Sequence, residues 1–258
     1  MVTQSTPALQ AQPAEISEAE LRALASLKLL DEDGVPLENA WHRLQINLFE
    51  DSLRQFWRGR TDFYIAGNMF LYYNLEQAQT HYYRGPDLFV VKDVDGTRPR
   101  PYWAVWLEGG RAPNLIVELL SESTRREDLG TKKELYERVL RVPEYVCYGP
   151  DPTQSTALEF YLWRLDGERY REVSANEQGW KWSEVLGAWL GVWEGEYNGM
   201  RTRWLRLYDR DGQLVLNTAE LLERERQRAE AERQRAEAAE QRAAQLAARL
   251  RALGVEDV

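Results

Sequence analysis

Three stretches decide how this chain is read: Arg84-Gly85-Pro86-Asp87-Leu88-Phe89-Val90-Val91, Leu115-Ile116-Val117-Glu118-Leu119-Leu120-Ser121, and Asp128-Leu129-Gly130-Thr131-Lys132-Lys133-Glu134-Leu135-Tyr136. The first two are aliphatic, β-branched runs of strand length, and each holds one carboxylate. Asp87 opens its run directly after Pro86, and Glu118 lies inside the run Leu115–Leu120. A carboxylate in such text costs about 2–7 kcal/mol of desolvation unless something compensates it. Two strand carboxylates that meet across a sheet can hold one divalent cation, and oxygen donors suit Mg²⁺ or Mn²⁺. Plainer explanations stand beside this one. Asp87 after Gly-Pro is ordinary turn chemistry, and Glu118 could be an edge-strand residue paired with an arginine. Ser121 could be only a helix cap, and Lys132 only a solvated helix residue.

Outward from these runs, the text from Asp62 to Leu120 is strand-like between turn signals. Strands are expected near Asp62–Ala66, Met69–Tyr73, Asp87–Val91, Tyr102–Leu107 and Asn114–Leu120. A helix from about Arg126 to Arg141 and a strand over Glu144–Tyr148 follow. Hairpin text covers Ala157–Leu165, Arg169–Val173, the Trp-dense stretch Trp180–Trp193 and Arg203–Leu216. Upstream, a helix over Glu38–Trp57 ends at Gly59, and Ser17 with Glu20 forms a capping box for a short helix to about Leu30. Residues 1–16 have no periodicity and are expected to be disordered. Adjacent strands followed by a crossover helix predict an α/β fold with a mixed central sheet flanked by helices, then a β-rich segment. That domain is expected over residues 17–217.

The 258 residues include 33 Lys and Arg against 42 Asp and Glu, a formal net charge of −9. A body this acidic does not attract DNA by bulk charge, so any nucleic-acid role needs a local basic strip or a neutralising metal. The longest apolar run, Tyr102–Leu107, falls far below the ~18 residues of a membrane-spanning helix. No basic residue precedes Arg22, so no secretory signal is expected and the cytoplasm is the expected location. The single Cys147 excludes an internal disulfide or a cysteine zinc cage, and His42 and His81 make no histidine-rich site. A metal here must be held by carboxylates.

The tail differs in kind. Gln227-Arg228-Ala229-Glu230 recurs as Gln234-Arg235-Ala236-Glu237 and partly as Gln241-Arg242-Ala243, a repeat of seven. Leu222, Ala229, Ala236, Ala243 and Leu250 share one heptad position, and Ala239, Leu246 and Leu253 lie three further on. An uncapped helix over residues 218–253 is expected, either a coiled coil with a narrow alanine seam or a solvated single helix held by charge pairs.

Pro-Asp at the head of an apolar strand, Val-Glu-Leu-Leu-Ser at a strand end, then Asp-x-Gly-x-Lys and Glu-Leu-Tyr together resemble the Uma-type family classed with restriction endonucleases, in the PD-(D/E)XK nuclease superfamily. Val142-Pro143-Glu144-Tyr145-Val146 is similar to that family's strand after the crossover helix. The likeness spans about residues 38–175, and the heptad tail fits the helical extension that such proteins often carry. It implies a restriction-endonuclease-like fold and metal-dependent hydrolysis of DNA.

The resemblance assigns Asp87 and Glu118 as the acidic pair, with the backbone carbonyl of Leu119, holding Mg²⁺ or Mn²⁺. The superfamily's lysine two residues after the second acid is replaced here by Leu120. Lys132 matches the lysine that this family carries in the following helix, which makes Asp87, Glu118 and Lys132 the expected catalytic set. Lys133 occupies a position that is usually apolar. Ser121 would fix the strand end, and His42 resembles a histidine often found at the start of the preceding helix. The family's N-terminal segment has no counterpart in this sequence, and Glu38 is the candidate for the helix glutamate. Arg84, Arg125, Arg126, Lys132 and Lys133 could form the basic strip that a DNA substrate needs. With the Leu129–Tyr136 face on the sheet, Lys132 and Tyr136 share a side that looks toward Glu118, while Lys133 looks to solvent. A homo-oligomer through the C-terminal helix is expected. A catalytically silent nuclease-like scaffold, acting by protein association through the heptad tail and the tryptophan-rich segment, is the alternative. A Cys147 nucleophile is not favoured, because an apolar strand leaves a thiol inert.

Overall fold

The structure, a computed structural model, describes Arg22, residues 40–74, Gln77, residues 85–150 and residues 158–252. Arg84, Glu38, the lead-in over residues 1–16 and, apart from Arg22, the helix expected from Ser17 lie outside the described residues. Compact packing divides the chain into Met1–Val215 and Leu216–Val258.

In the first unit, α1 (Ala40–Phe56) buries Ile46, Phe49 and Leu53, which recur at helical spacing on one face. Gly59, at φ +86°, closes its end. The strands are β1 (Phe63–Gly67), β2 (Leu71–Tyr72), β3 (Leu88–Lys92), β4 (Trp103–Ala104), β5 (Leu115–Leu119), β6 (Glu144–Pro150), β7 (Leu158–Asp166) and β8 (Arg169–Glu172). Six of them form one mixed sheet in the order β1-β3-β5-β6-β7-β8. Every neighbouring pair is antiparallel except β5 and β6. That parallel pair requires a crossover, and the segment after β5 supplies it. β2 and β4 pair separately.

The crossover is not the single helix expected from Arg126 to Arg141. It consists of α2 (Arg125–Glu127), a π turn over Asp128–Lys132, and α3 (Lys133–Arg138), which stops before Arg141 at φ +49°. The expected strand Tyr102–Leu107 is also shorter. Trp103 and Ala104 pair with β2, and Val105–Glu108 coil into a 3₁₀ turn.

Both faces are covered at the centre of the sheet, so β3 and β5 read as near-continuous apolar runs. On one face Ile65, Leu88, Val90, Val117 and Val146 pack with α1 and with the second sheet. On the other Phe89, Val91, Ile116, Leu120, Tyr145 and Cys147 pack under Tyr136 and Leu140. The second sheet, β9 (Lys181–Ser183), β10 (Ala188–Tyr197) and β11 (Met200–Tyr208), is antiparallel in the order β11-β10-β9. Asn198 and Gly199, both at positive φ, make the two-residue turn between β10 and β11. Gln45 of α1 borders β11 as a strand would: its amide donates to the Leu205 carbonyl at 2.9 Å and accepts from the Leu205 N–H at 2.8 Å.

The second unit holds α4 (Thr218–Ala252). It is capped, contrary to expectation. Asn217 Oδ1 accepts from the Glu220 N–H at 3.0 Å, while Glu220 Oε2 accepts from the Asn217 N–H at 2.9 Å. Surface pairs such as Arg233 with Glu230 at 2.9 Å line the helix, and Leu222 and Leu246 stand exposed.

Candidate active site

The antiparallel register of β3 and β5 matches Leu88 with Val117, so Asp87 falls directly opposite Glu118, one step beyond. Alternation sends both side chains to the face that carries Phe89 and Ile116. The backbones lock this pairing. The Asp87 N–H donates to Glu118 Oε2 at 3.3 Å, and the Leu119 N–H donates to Asp87 Oδ2 at 2.6 Å. β5 is an inner strand of the sheet, which removes the edge-strand explanation of Glu118.

The crossover brings the remaining groups. Lys132 Nζ lies 3.1 Å from Glu118 Oε1 and 2.7 Å from Asp128 Oδ1. The Tyr136 hydroxyl donates to the same Glu118 Oε1 at 2.9 Å. Glu118 and Asp128 are each 1% exposed, and the Lys132 side chain is 13% exposed. Leu120, in the place of the missing superfamily lysine, packs beside Tyr136. Its N–H donates to the Tyr148 carbonyl, and its backbone runs so close to Gly149 that a Cβ there would meet Leu120 Cβ at 2.7 Å. This close approach fixes the strand end from which Ser121 leaves. Ser121 Oγ then accepts from the Thr124 N–H at 3.2 Å and lies 2.9 Å from Thr124 Oγ1, which shapes the turn into α2.

Lys133 does not look to solvent as expected. Its Nζ sits 4.1 Å from the centre of the Trp163 ring, a cation–π contact away from the carboxylates. His42 is buried at the start of α1 with its ring against Trp41, 5.2 Å between centres. Arg125 pairs with Glu159 at 2.7 Å, and Arg126 is exposed. Asp128 is the member that sequence reasoning did not place in the site, and Tyr136 was placed on the side of Lys132 without a role. Their signal was the four-residue spacing Asp128–Lys132–Tyr136, which an ordinary helix surface also produces.

Burial pushes the Glu118 carboxyl up to about 8, with Asp87 and Asp128 adding to the rise and Lys132 opposing it. Burial alone would lower the Lys132 ammonium, yet the charges of Glu118 and Asp128 hold it above the ordinary lysine range. Burial likewise raises the Cys147 thiol well above its usual value, so it is not a poised nucleophile. Among the described residues no three His, Cys, Asp or Glu side chains form a ready metal cage. The donor set still fits a hard cation. Two carboxylates on adjacent strand ends match the one or two carboxylates by which Mg²⁺ is usually held.

The family model Uma2, described as "Putative restriction endonuclease", matches residues 32–193. A crystal structure described as "a putative nuclease belonging to DUF820" from Anabaena variabilis ATCC 29413 covers 65% of this chain and 90% of its own, at 11% identity and a TM-score of 0.42. No curated protein matches the chain.

Proposed function

The chain belongs to the Uma2 family of restriction-endonuclease-like proteins, and from that membership we propose that it is a metal-dependent endonuclease hydrolysing DNA phosphodiester bonds. The observation that carries the proposal is the meeting of Asp87, Glu118 and Lys132 at one point of the central sheet. Asp87, Glu118 and the Leu119 carbonyl would hold Mg²⁺ or Mn²⁺, which when bound polarises the scissile phosphate and lowers the pKa of an attacking water. Lys132, ion-paired but partly open to solvent, donates to phosphate oxygens and offsets the charge that develops in the transition state. Tyr136 holds Glu118 through Oε1 and leaves its second oxygen facing the Asp87 side. Ser121 sets the path from strand to helix, His42 supports α1, and Arg84, Arg125 and Arg126 supply positive charge along the DNA. Residues 17–217 form the nuclease domain and residues 218–253 a helical arm that joins copies of the chain. No helix among the described residues is long and apolar enough to cross a membrane.

Purified protein on supercoiled plasmid with Mg²⁺ is the test. The parent should nick or linearise the DNA, EDTA should stop it, and Asp87→Asn should abolish it. No Mg²⁺-dependent cleavage by the parent on any DNA tried would overturn the proposal.

A further inference from the structure

Lys132 has two carboxylate partners, and the nearer one is not on the strand. Asp128 Oδ1 lies at 2.7 Å and Glu118 Oε1 at 3.1 Å. Asp128 is as deeply buried as Glu118, and a carboxylate in such a place is costly without a partner. Its backbone is held from the opposite side, because the Tyr145 hydroxyl of β6 donates to the Asp128 carbonyl at 2.9 Å. The π turn over Asp128–Lys132 has a further consequence. Four residues of α-helix advance about 40° beyond a full turn, and a wider π turn winds back against that drift. Asp128, Lys132 and Tyr136 therefore line up over Glu118 instead of spiralling away from it.

We infer that Asp128 is a positioning residue that anchors Lys132 beside the site when a divalent cation claims Glu118. The inference rests on the nuclease reading above and adds to it a residue that touches neither the cation nor the DNA. A dication at Asp87 and Glu118 draws on the Glu118 charge and repels the ammonium. With Asp128 present, Lys132 keeps a counter-ion at 2.7 Å and stays in place. Without Asp128, its remaining carboxylate contact is Glu118, for which it then competes with the cation.

The test is a double-mutant cycle read by Mn²⁺ calorimetry on the full chain without DNA. Asp128→Asn should weaken Mn²⁺ binding by about tenfold in the parent, the size of an ordinary coupling between touching groups. In a Lys132→Ala background the same substitution should change Mn²⁺ binding little. Asp128→Glu should restore the parent's affinity in part. On plasmid, Asp128→Asn should lower kcat and leave KM for DNA unchanged. Equal effects of Asp128→Asn in both backgrounds would mean simple charge attraction and would overturn the anchor alone. A parent that binds no Mn²⁺ would overturn the nuclease reading together with the anchor. The unaltered protein gives a second readout that does not depend on a variant folding. With ¹⁵N-labelled lysine, the Lys132 ammonium signal should stay protected from exchange when Mg²⁺ is added, and its disappearance would overturn the anchor.

Discussion

Burial raises the Glu118 carboxyl to about 8 in the metal-free fold, against about 4.5 for an ordinary glutamate. The folded state binds more protons between those values, so the metal-free protein should lose stability as pH rises from about 4.5 to about 8. Glu118→Gln should remove that loss and stabilise the protein at pH 9 by a few kcal/mol, as read from urea midpoints in EDTA. Identical midpoints for parent and variant at pH 6 and pH 9 would contradict this. The two lysines separate catalysis from packing. Lys132→Ala should cut Mg²⁺-dependent plasmid cleavage by ~10²-fold or more, whereas Lys133→Ala, which loses only its contact with Trp163, should change it little. Equal activity of Lys132→Ala and the parent would remove Lys132 from the mechanism. The acidic pair was legible in the sequence because a carboxylate inside an apolar strand run demands a reason. Asp128 was not, because an Asp four residues before a Lys is commonplace on exposed helices.

Among the elements, the crossover segment decides whether Lys132 faces the sheet. Deleting the exposed Thr131 would convert the π turn toward α-helical register and rotate Asp128 out of line with Lys132 and Tyr136. Cleavage should then be lost while the far-ultraviolet circular dichroism stays that of the parent, and unchanged cleavage would contradict this role for the turn. No residue pattern announces a π turn, so a plain helix was the natural expectation. The β10–β11 hairpin is the opposite case. Asn198-Gly199 is a strong two-residue turn signal, and it extends the two strands to Tyr197 and back to Met200, past the expected bounds at Trp193 and Arg203. Gln45, a polar residue in the middle of α1, gave no hint that it serves the edge of β11. Gln45→Ala leaves the Leu205 N–H and carbonyl without these partners in a buried place. It should cost about 2–4 kcal/mol, measured by urea unfolding, and a loss well under 1 kcal/mol would show that the edge is satisfied in another way.

For the whole molecule, the formal charge of −9 and the proposed DNA substrate are reconciled only if a cation and Lys132 offset the acidity at the site. The α4 arm is proposed to add association. Its apolar seam is thin, and Arg228, Arg235, Arg242 and Arg249 all lie one position before that seam, where two antiparallel copies would bring like charges together. Light scattering should give a mass above the monomer for the full chain, rising with salt as the repulsion is screened, and a lower mass for a form ending at Asn217. Equal monomeric masses at every salt concentration would make α4 a lone solvated helix. The claim on which the rest depends is that Asp87 and Glu118 share one divalent cation. Anomalous diffraction from a crystal soaked in Mn²⁺ should place a single strong peak between these two carboxylates, within bonding distance of the Leu119 carbonyl. A soaked crystal with no peak there, or with Mn²⁺ bound only elsewhere, would contradict it.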